Sequence, residues 1–142
     1  MGLEKIVAIA GKPGLYEVIS RTKTGVIVES LENKKRLPVG ALHKISTLND
    51  IAIYTYAEEV PLRAVLLSIY DMQDGKAAID GKSDKGQLMN FFREVLPEYD
   101  EDRVYASNVK KVLNWYNALV EVDFDFEALK KELEEEKEED QS

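Results

Sequence analysis

Apolar and polar residues follow different periods in the two halves of the chain. Residues 15–21 open with alternation, Leu15, Glu17 and Ile19 on one side against Tyr16, Val18 and Ser20 on the other, which predicts a strand. Residues 26–31 begin with three β-branched side chains, Val26, Ile27 and Val28, and predict a second strand. Thr22-Lys23-Thr24-Gly25 between them reads as a hairpin turn, and Glu32-Asn33-Lys34-Lys35 as the next turn. Residues 36–39 form a third short strand in which Pro38 suits an edge. Residues 51–56, with Ile51 and Ile53 on one face, form the last. The opening stretch 3–10 is apolar with a period ambiguous between a strand and one or two helical turns, and Gly11-Lys12-Pro13-Gly14 breaks it. Short strands separated by regular turn signals predict a small β-barrel, SH3-like on its length.

From residue 58 onward the period lengthens. Leu62, Val65, Leu66 and Ile69 fall at helical spacing behind Glu58-Glu59-Val60-Pro61, and Asp74-Gly75 ends that helix. Residues 76–79 read as a short strand or loop, and Asp80-Gly81-Lys82-Ser83 as a turn. Leu88, Phe92, Val95 and Leu96 predict a second helix closed by Pro97. Ser107 is the expected N-cap of a third. The apolar face of that helix is Val109, Val112, Leu113, Tyr116, Leu119 and Val120, with Trp115 one position off the stripe. After Phe124-Asp125-Phe126 the chain has high helix propensity but few apolar residues, so beyond Leu133 fraying into an acidic tail is expected. The expected architecture is therefore α+β: an SH3-like β-barrel over 1–57, a helical module over 58–122, and an acidic helix or tail over 123–142.

Composition removes several chemistries. The 142 residues include no cysteine and one histidine. Disulfides, thiol nucleophiles, Cys-ligated metal sites and His–His pairs are excluded. The net charge of −8 is unevenly spread: +3 over residues 1–56, −3 over 57–120 and −8 over 121–142. The overall acidity thus belongs to the C-terminal segment, and the first module is mildly basic. No apolar run approaches the roughly 20 residues of a membrane helix. Met1-Gly2-Leu3-Glu4 does not read as a secretory signal, so the expected setting is cytoplasmic, away from membranes.

Five strings carry a family resemblance: residues 9–16 (Ile-Ala-Gly-Lys-Pro-Gly-Leu-Tyr), residues 25–31 (Gly-Val-Ile-Val-Glu-Ser-Leu), His43-Lys44-Ile45-Ser46, Asp102-Arg103-Val104-Tyr105 and Asn114-Trp115-Tyr116-Asn117. Together they resemble an uncharacterised bacterial family, a domain of unknown function seen mainly in Bacteroidetes. The resemblance spans about residues 3–122. It implies a cytoplasmic bacterial protein of two conjoined modules and brings no activity, substrate or catalytic residue with it.

Catalytic motifs fail on their own spacing. Gly11-Lys12-Pro13-Gly14 is followed by a strand and lacks a Lys-Ser/Thr at a helix start, so it is a turn rather than a phosphate loop. Gly81-Lys82-Ser83 matches the end of that motif, but the glycine required five positions earlier is Lys76. Asp71, Asp74, Asp80 and Asp84 miss calcium-loop spacing, because the bidentate position falls on Lys82. His43 has no recognisable catalytic setting. No enzyme and no cofactor is expected.

What remains is binding. Arg21 and Lys23 flank the first hairpin, Lys34, Lys35 and Arg36 occupy the second, and His43 and Lys44 follow, with the Tyr16 ring nearby. Hairpin tips gathered at one end of a barrel would form a basic patch suited to RNA phosphates, with tyrosines for stacking. The favoured expectation is a non-catalytic adaptor engaging a protein partner, with Phe91, Tyr105 and Trp115 as candidate anchors of the helical module. RNA binding through the basic hairpins is the alternative. The C-terminal acidic segment is a candidate to fold back over those hairpins.

Overall fold

The structure is a computed structural model and describes residues 2–12, 14–40 and 43–141. Pro13 of the first expected turn and Leu42 beside His43 lie outside these residues. Among these residues the chain is α+β, with one five-stranded antiparallel sheet, a two-stranded ribbon and four α-helices.

The ambiguous opening stretch divides into a 3-10 turn, Leu3–Lys5, and strand β1, Ile6–Ile9. β2 (Tyr16–Arg21), β3 (Gly25–Ser30) and β4 (Arg36–Gly40) form the expected meander, and β5 (Ile45–Thr47) pairs on the far side of β1. The strand order is β4-β3-β2-β1-β5. Gly25 faces Gly40 across β3 and β4, and a Cβ on Gly25 would meet the Val39 carbonyl oxygen at 2.0 Å, so only glycine permits this approach.

The sheet rolls but does not close into the expected SH3-like barrel. Laid flat, its two edges would stand four strand spacings apart, about 19 Å. The five chain steps from Gly40 to Ile45 reach about 17 Å at full extension. The His43 N–H donates to the Gly40 carbonyl at 3.1 Å, which shortens the path further. The edges must therefore bend toward each other. Among the described residues no pairing joins β4 to β5. Pro38 removes a donor from β4, and β5 is three residues long, so little is available to seal that seam.

The strand expected over 51–56 leaves the sheet altogether. Ala52–Tyr54 (β6) turns back on Glu59–Pro61 (β7). Thr55 closes the turn: its N–H donates to the Glu58 carbonyl at 2.9 Å, and its Oγ1 accepts from the Glu58 N–H at 2.9 Å. A strand that finds a partner four residues later has no need of the sheet.

α1 (Leu62–Met72) ends as expected, with Asp74 and Gly75 in left-handed backbone and the Gly75 N–H donating to the Tyr70 carbonyl. Residues 76–79 are loop. α2 (Lys85–Val95) is capped by the Asp84 carboxylate on the Gln87 N–H at 2.9 Å. α3 (Ala106–Glu121) starts one residue before Ser107. The Asn108 Oδ1, rather than Ser107, closes its first turn by accepting from the Tyr105 N–H at 2.8 Å.

α4 (Phe126–Gln141) continues past Leu133, where fraying was expected. Its stability comes from tertiary contacts that propensity arguments do not see. Phe126 stacks on Tyr70 at 4.7 Å, the Tyr70 hydroxyl donates to Glu127 at 3.0 Å, and Arg63 meets Glu136 at 2.7 Å. The segment therefore runs along α1, not back over the hairpins.

The two halves share one core. Leu3, Ile6, Leu15, Leu31 and Leu48 from the sheet half are buried with Leu62, Leu66, Phe92, Leu113, Tyr116 and Phe126 from the helices. A second, smaller cluster lies on the opposite sheet face and consists of strand residues alone: Val7, Ile9, Tyr16, Val28 and Val39. With no helix there, Val28 and Val39 are almost fully buried because the rolled sheet covers its own inner face.

Candidate functional site

The structure does not gather the residues that the sequence singled out. Arg21 and Lys23 sit at one end of β3 and Lys34, Lys35 and Arg36 at the other, because consecutive hairpins of a meander turn at opposite ends. The six residues of β3 separate the turn lysines by about 20 Å, while Arg21 and Arg36 oppose Val26 and Glu29, about 10 Å apart along the strand. Arg36 is engaged with its cross-strand neighbour Glu29 at 3.1 Å. Tyr16 is buried in the sheet's own cluster, so its ring is not a surface platform. His43 and Lys44 are exposed, and the Lys44 carbonyl accepts from the Ala10 N–H at 3.0 Å.

That last hydrogen bond places Lys44 on a different feature. A groove runs between α3 and the strands opposite it. It consists of two cavities that share Ile51, Lys111 and Trp115 in their walls. One, of about 140 Å³, lies against β6 and is lined by Ile51–Tyr54, Arg103, Val104, Asn108 and Val112. The other, of about 380 Å³, lies against the end of β1 and includes Gly11, Lys12, Lys44, Ser46 and Asn114.

The helix builds one wall by its periodicity. The α3 stripe of Val109, Val112, Leu113, Tyr116 and Leu119 goes to the core. The neighbouring stripe, Asn108, Lys111 and Trp115, spaced i, i+3 and i+7, is left facing the groove. Trp115 is half-buried there, with part of its surface against the core.

The charged side chains in the groove's walls are cations, one of them paired with Asp100 behind the wall. Arg103, Lys111, Lys12 and Lys44 line it, and no Asp or Glu does, in a chain with 27 acids and 19 bases. Arg103 is held in place: its Nε donates to Asp100 at 2.8 Å and its guanidinium lies 4.3 Å from the centroid of the Tyr54 ring. The hydrogen bond from Arg103 holds the Asp100 carboxyl below the usual carboxylate range, against the opposing effect of burial. That contact also raises the Arg103 pKa, so the guanidinium stays charged. Lys12, Lys44 and Lys111 are exposed and form no ion pair among the described residues.

Such a lining offers donors and ring faces. Among the described residues it contains no histidine, cysteine or carboxylate to serve as base, nucleophile or metal ligand. Among the described residues no group of three or more His, Asp or Glu side chains could hold a metal ion. No helix there is long and apolar enough to cross a membrane.

Of the eight side chains expected to bind, only Lys44 lines this groove, and of the three helical-module anchors only Trp115 does. Lys12, Arg103 and Lys111 were missed. The i, i+4 spacing of Lys111 and Trp115 was a usable signal, because it places a cation and the one tryptophan on the same helix face.

Residues 3–48 match the model of a domain of unknown function, DUF5606, and residues 51–119 match that of a second, DUF6852. The two matches meet at the 3-10 turn Leu48–Asp50. No curated protein matches the chain. A solution NMR structure of a protein from Bacteroides vulgatus is similar over 87% of this chain and 89% of that one, with 46% identity and a TM-score of 0.74.

Proposed function

The chain, in which matches to DUF5606 and DUF6852 follow one another, belongs to the family of that Bacteroides vulgatus protein, and for it we propose a non-catalytic binding protein that engages an acidic segment of a partner protein in the groove beside α3. One observation carries the reading: three exposed lysines, the ion-paired Arg103 and two aromatic rings line a groove whose walls include no carboxylate among the described residues. Charge complementarity of this kind speeds encounter and excludes like-charged partners. The adaptor role expected from the sequence keeps its class and moves to a different surface. The proposal includes a cytoplasmic setting, where a cysteine-free domain needs no disulfide.

RNA binding through the basic hairpins has less support. Its cations stand at opposite ends of β3, Arg36 is paired, and Tyr16 is buried.

Trp115 is the chain's one tryptophan, so its emission reports on the groove directly. The test is a titration of the full chain with a short peptide of alternating aspartate and glutamate. The reading expects a change in emission that weakens as salt rises from about 50 to about 200 mM. It also expects the response to disappear in the doubly charge-reversed Lys44→Glu, Lys111→Glu protein. Both lysines are exposed, so the fold should tolerate the change. No response at low salt, or an undiminished response in the variant, would refute the reading.

A further inference from the structure

Both cavities of the groove combine cations with apolar surface. The smaller cavity is lined by the apolar Ile51, Ile53, Val104 and Val112 together with Tyr54 and the Arg103 cation. The larger one has Lys12 and Lys44 on its strand side. Lys111 and Trp115 stand where the two meet. A purely charged ligand would satisfy the lysines and leave the apolar lining wetted. A purely apolar one would cover that lining and draw nothing from the cations.

We infer that the occupant is amphiphilic: an acidic peptide segment carrying one aliphatic or phenyl side chain, which enters the cavity beside Tyr54 while neighbouring carboxylates lie over Lys12, Lys44 and Lys111. This rests on the reading of the groove as an acidic-segment site and names what that segment must contain. The size fits, since a cavity of about 140 Å³ accepts a benzene-sized group. The apolar residues of the cavity favour a hydrocarbon group. The side-chain amide at that cavity, Asn108, commits its Oδ1 to the Tyr105 N–H, so the side-chain groups left there, its Nδ2 and the Arg103 and Lys111 cations, are donors that suit carboxylates. Polar edges buried without partners weaken binding, whereas a hydrocarbon group has none to satisfy. The single anchor matches the usual behaviour of peptide grooves, in which one buried side chain carries much of the affinity and surrounding charges set specificity.

The test compares three labelled peptides on the full chain by anisotropy: one leucine flanked by aspartates and glutamates, the same peptide with serine for leucine, and the same with glutamines and asparagines for the acids. A single-stranded oligouridylate is the fourth probe. The leucine peptide should bind about tenfold more tightly than the serine version. Ala52→Phe should abolish that difference by filling the cavity from an exposed position on β6. Removing the acids should abolish binding. Equal binding of the leucine and serine peptides would overturn the anchor and leave the acidic-segment reading standing. Failure of both acidic peptides would overturn that reading itself. Tighter binding of the oligouridylate, lost on Lys111→Glu, would overturn the assignment to a protein segment. An Ala52→Phe protein with wild-type circular dichroism that still prefers leucine would place the anchor elsewhere.

Discussion

Replacing Leu48 by alanine tests whether the sheet and the helices are one folding unit. Leu48 is fully buried in the core that the two halves share. The turn that carries it packs on α1, on β1 and on the Leu3–Lys5 turn. The substitution deletes three carbons, a transfer loss of about 2.4 kcal/mol at about 0.8 kcal/mol each. The cavity left behind raises the cost, and fully buried leucines fall in a range of about 2.7–5.0 kcal/mol. We expect about 3 kcal/mol. With a urea slope of about 1–3 kcal/mol/M, the midpoint should fall by between about 1 and 3 M. The assay is urea unfolding followed residue by residue in amide spectra, comparing Val28 and Val39 in the sheet with Leu66 and Leu113 in the helices. All four should lose native signal at one common, lowered midpoint. If the helical residues kept the wild-type midpoint while the sheet melted early, the shared-core argument would be wrong.

Three further outcomes follow from the same contacts. Phe126→Ala removes a buried ring that touches Tyr70, Tyr116 and Phe124, so a loss of about 3–5 kcal/mol is expected in thermal melts; a change below about 1 kcal/mol would show that α4 is dispensable to the core. Asn117 holds residues 78 and 79 through the Ala78 N–H on its Oδ1 at 2.8 Å and through its Nδ2 on the Ala78 and Ile79 carbonyls at 3.4 and 3.3 Å. Asn117→Ala should therefore cost about 1–3 kcal/mol and speed exchange of the Ala78 amide, and unchanged exchange would count against that role. Asp100 has a depressed folded pKa, so its stabilisation is complete above the unfolded carboxylate value near 3.9 and is lost as pH falls through the lower folded value. Asp100→Asn keeps an acceptor for the Asp102 N–H but removes the charge. Its melting temperature should lie below wild type at neutral pH and converge with it in acid, and a gap independent of pH would refute the linkage.

Much of the fold was legible because local pattern and tertiary structure agree. The alternation around Tyr16 and Val28 gives β2 and β3, and the stripe from Val109 to Leu119 gives α3. The failures occur where long-range partners decide. Nothing local in Ile45-Ser46-Thr47 marks a strand; β1 makes it one. Residues 51–56 carry strand pattern, yet Thr55 and Glu58 turn them into a ribbon away from the sheet. The α4 segment lacks apolar density, and its few apolar residues, Phe126 and Leu129, suffice because α1 presents Tyr70 and Arg63 to it. The residues of the proposed binding groove were least legible. Lys12, Lys44, Arg103 and Lys111 come from four separate places in the chain, and no short-range pattern brings them together. The hairpin lysines formed a visible run, but adjacency in sequence across a meander is distance in space.

The central claim is that the groove beside α3 is the binding surface, and chemical-shift mapping addresses it most directly. Amide and indole signals of the full chain would be followed while an acidic, leucine-bearing peptide is added at low salt. The account predicts that shifts concentrate on Gly11, Lys12, Lys44, Arg103, Lys111 and the Trp115 indole. Shifts confined to the hairpins at 22–25 and 32–36, or none at all, would contradict it.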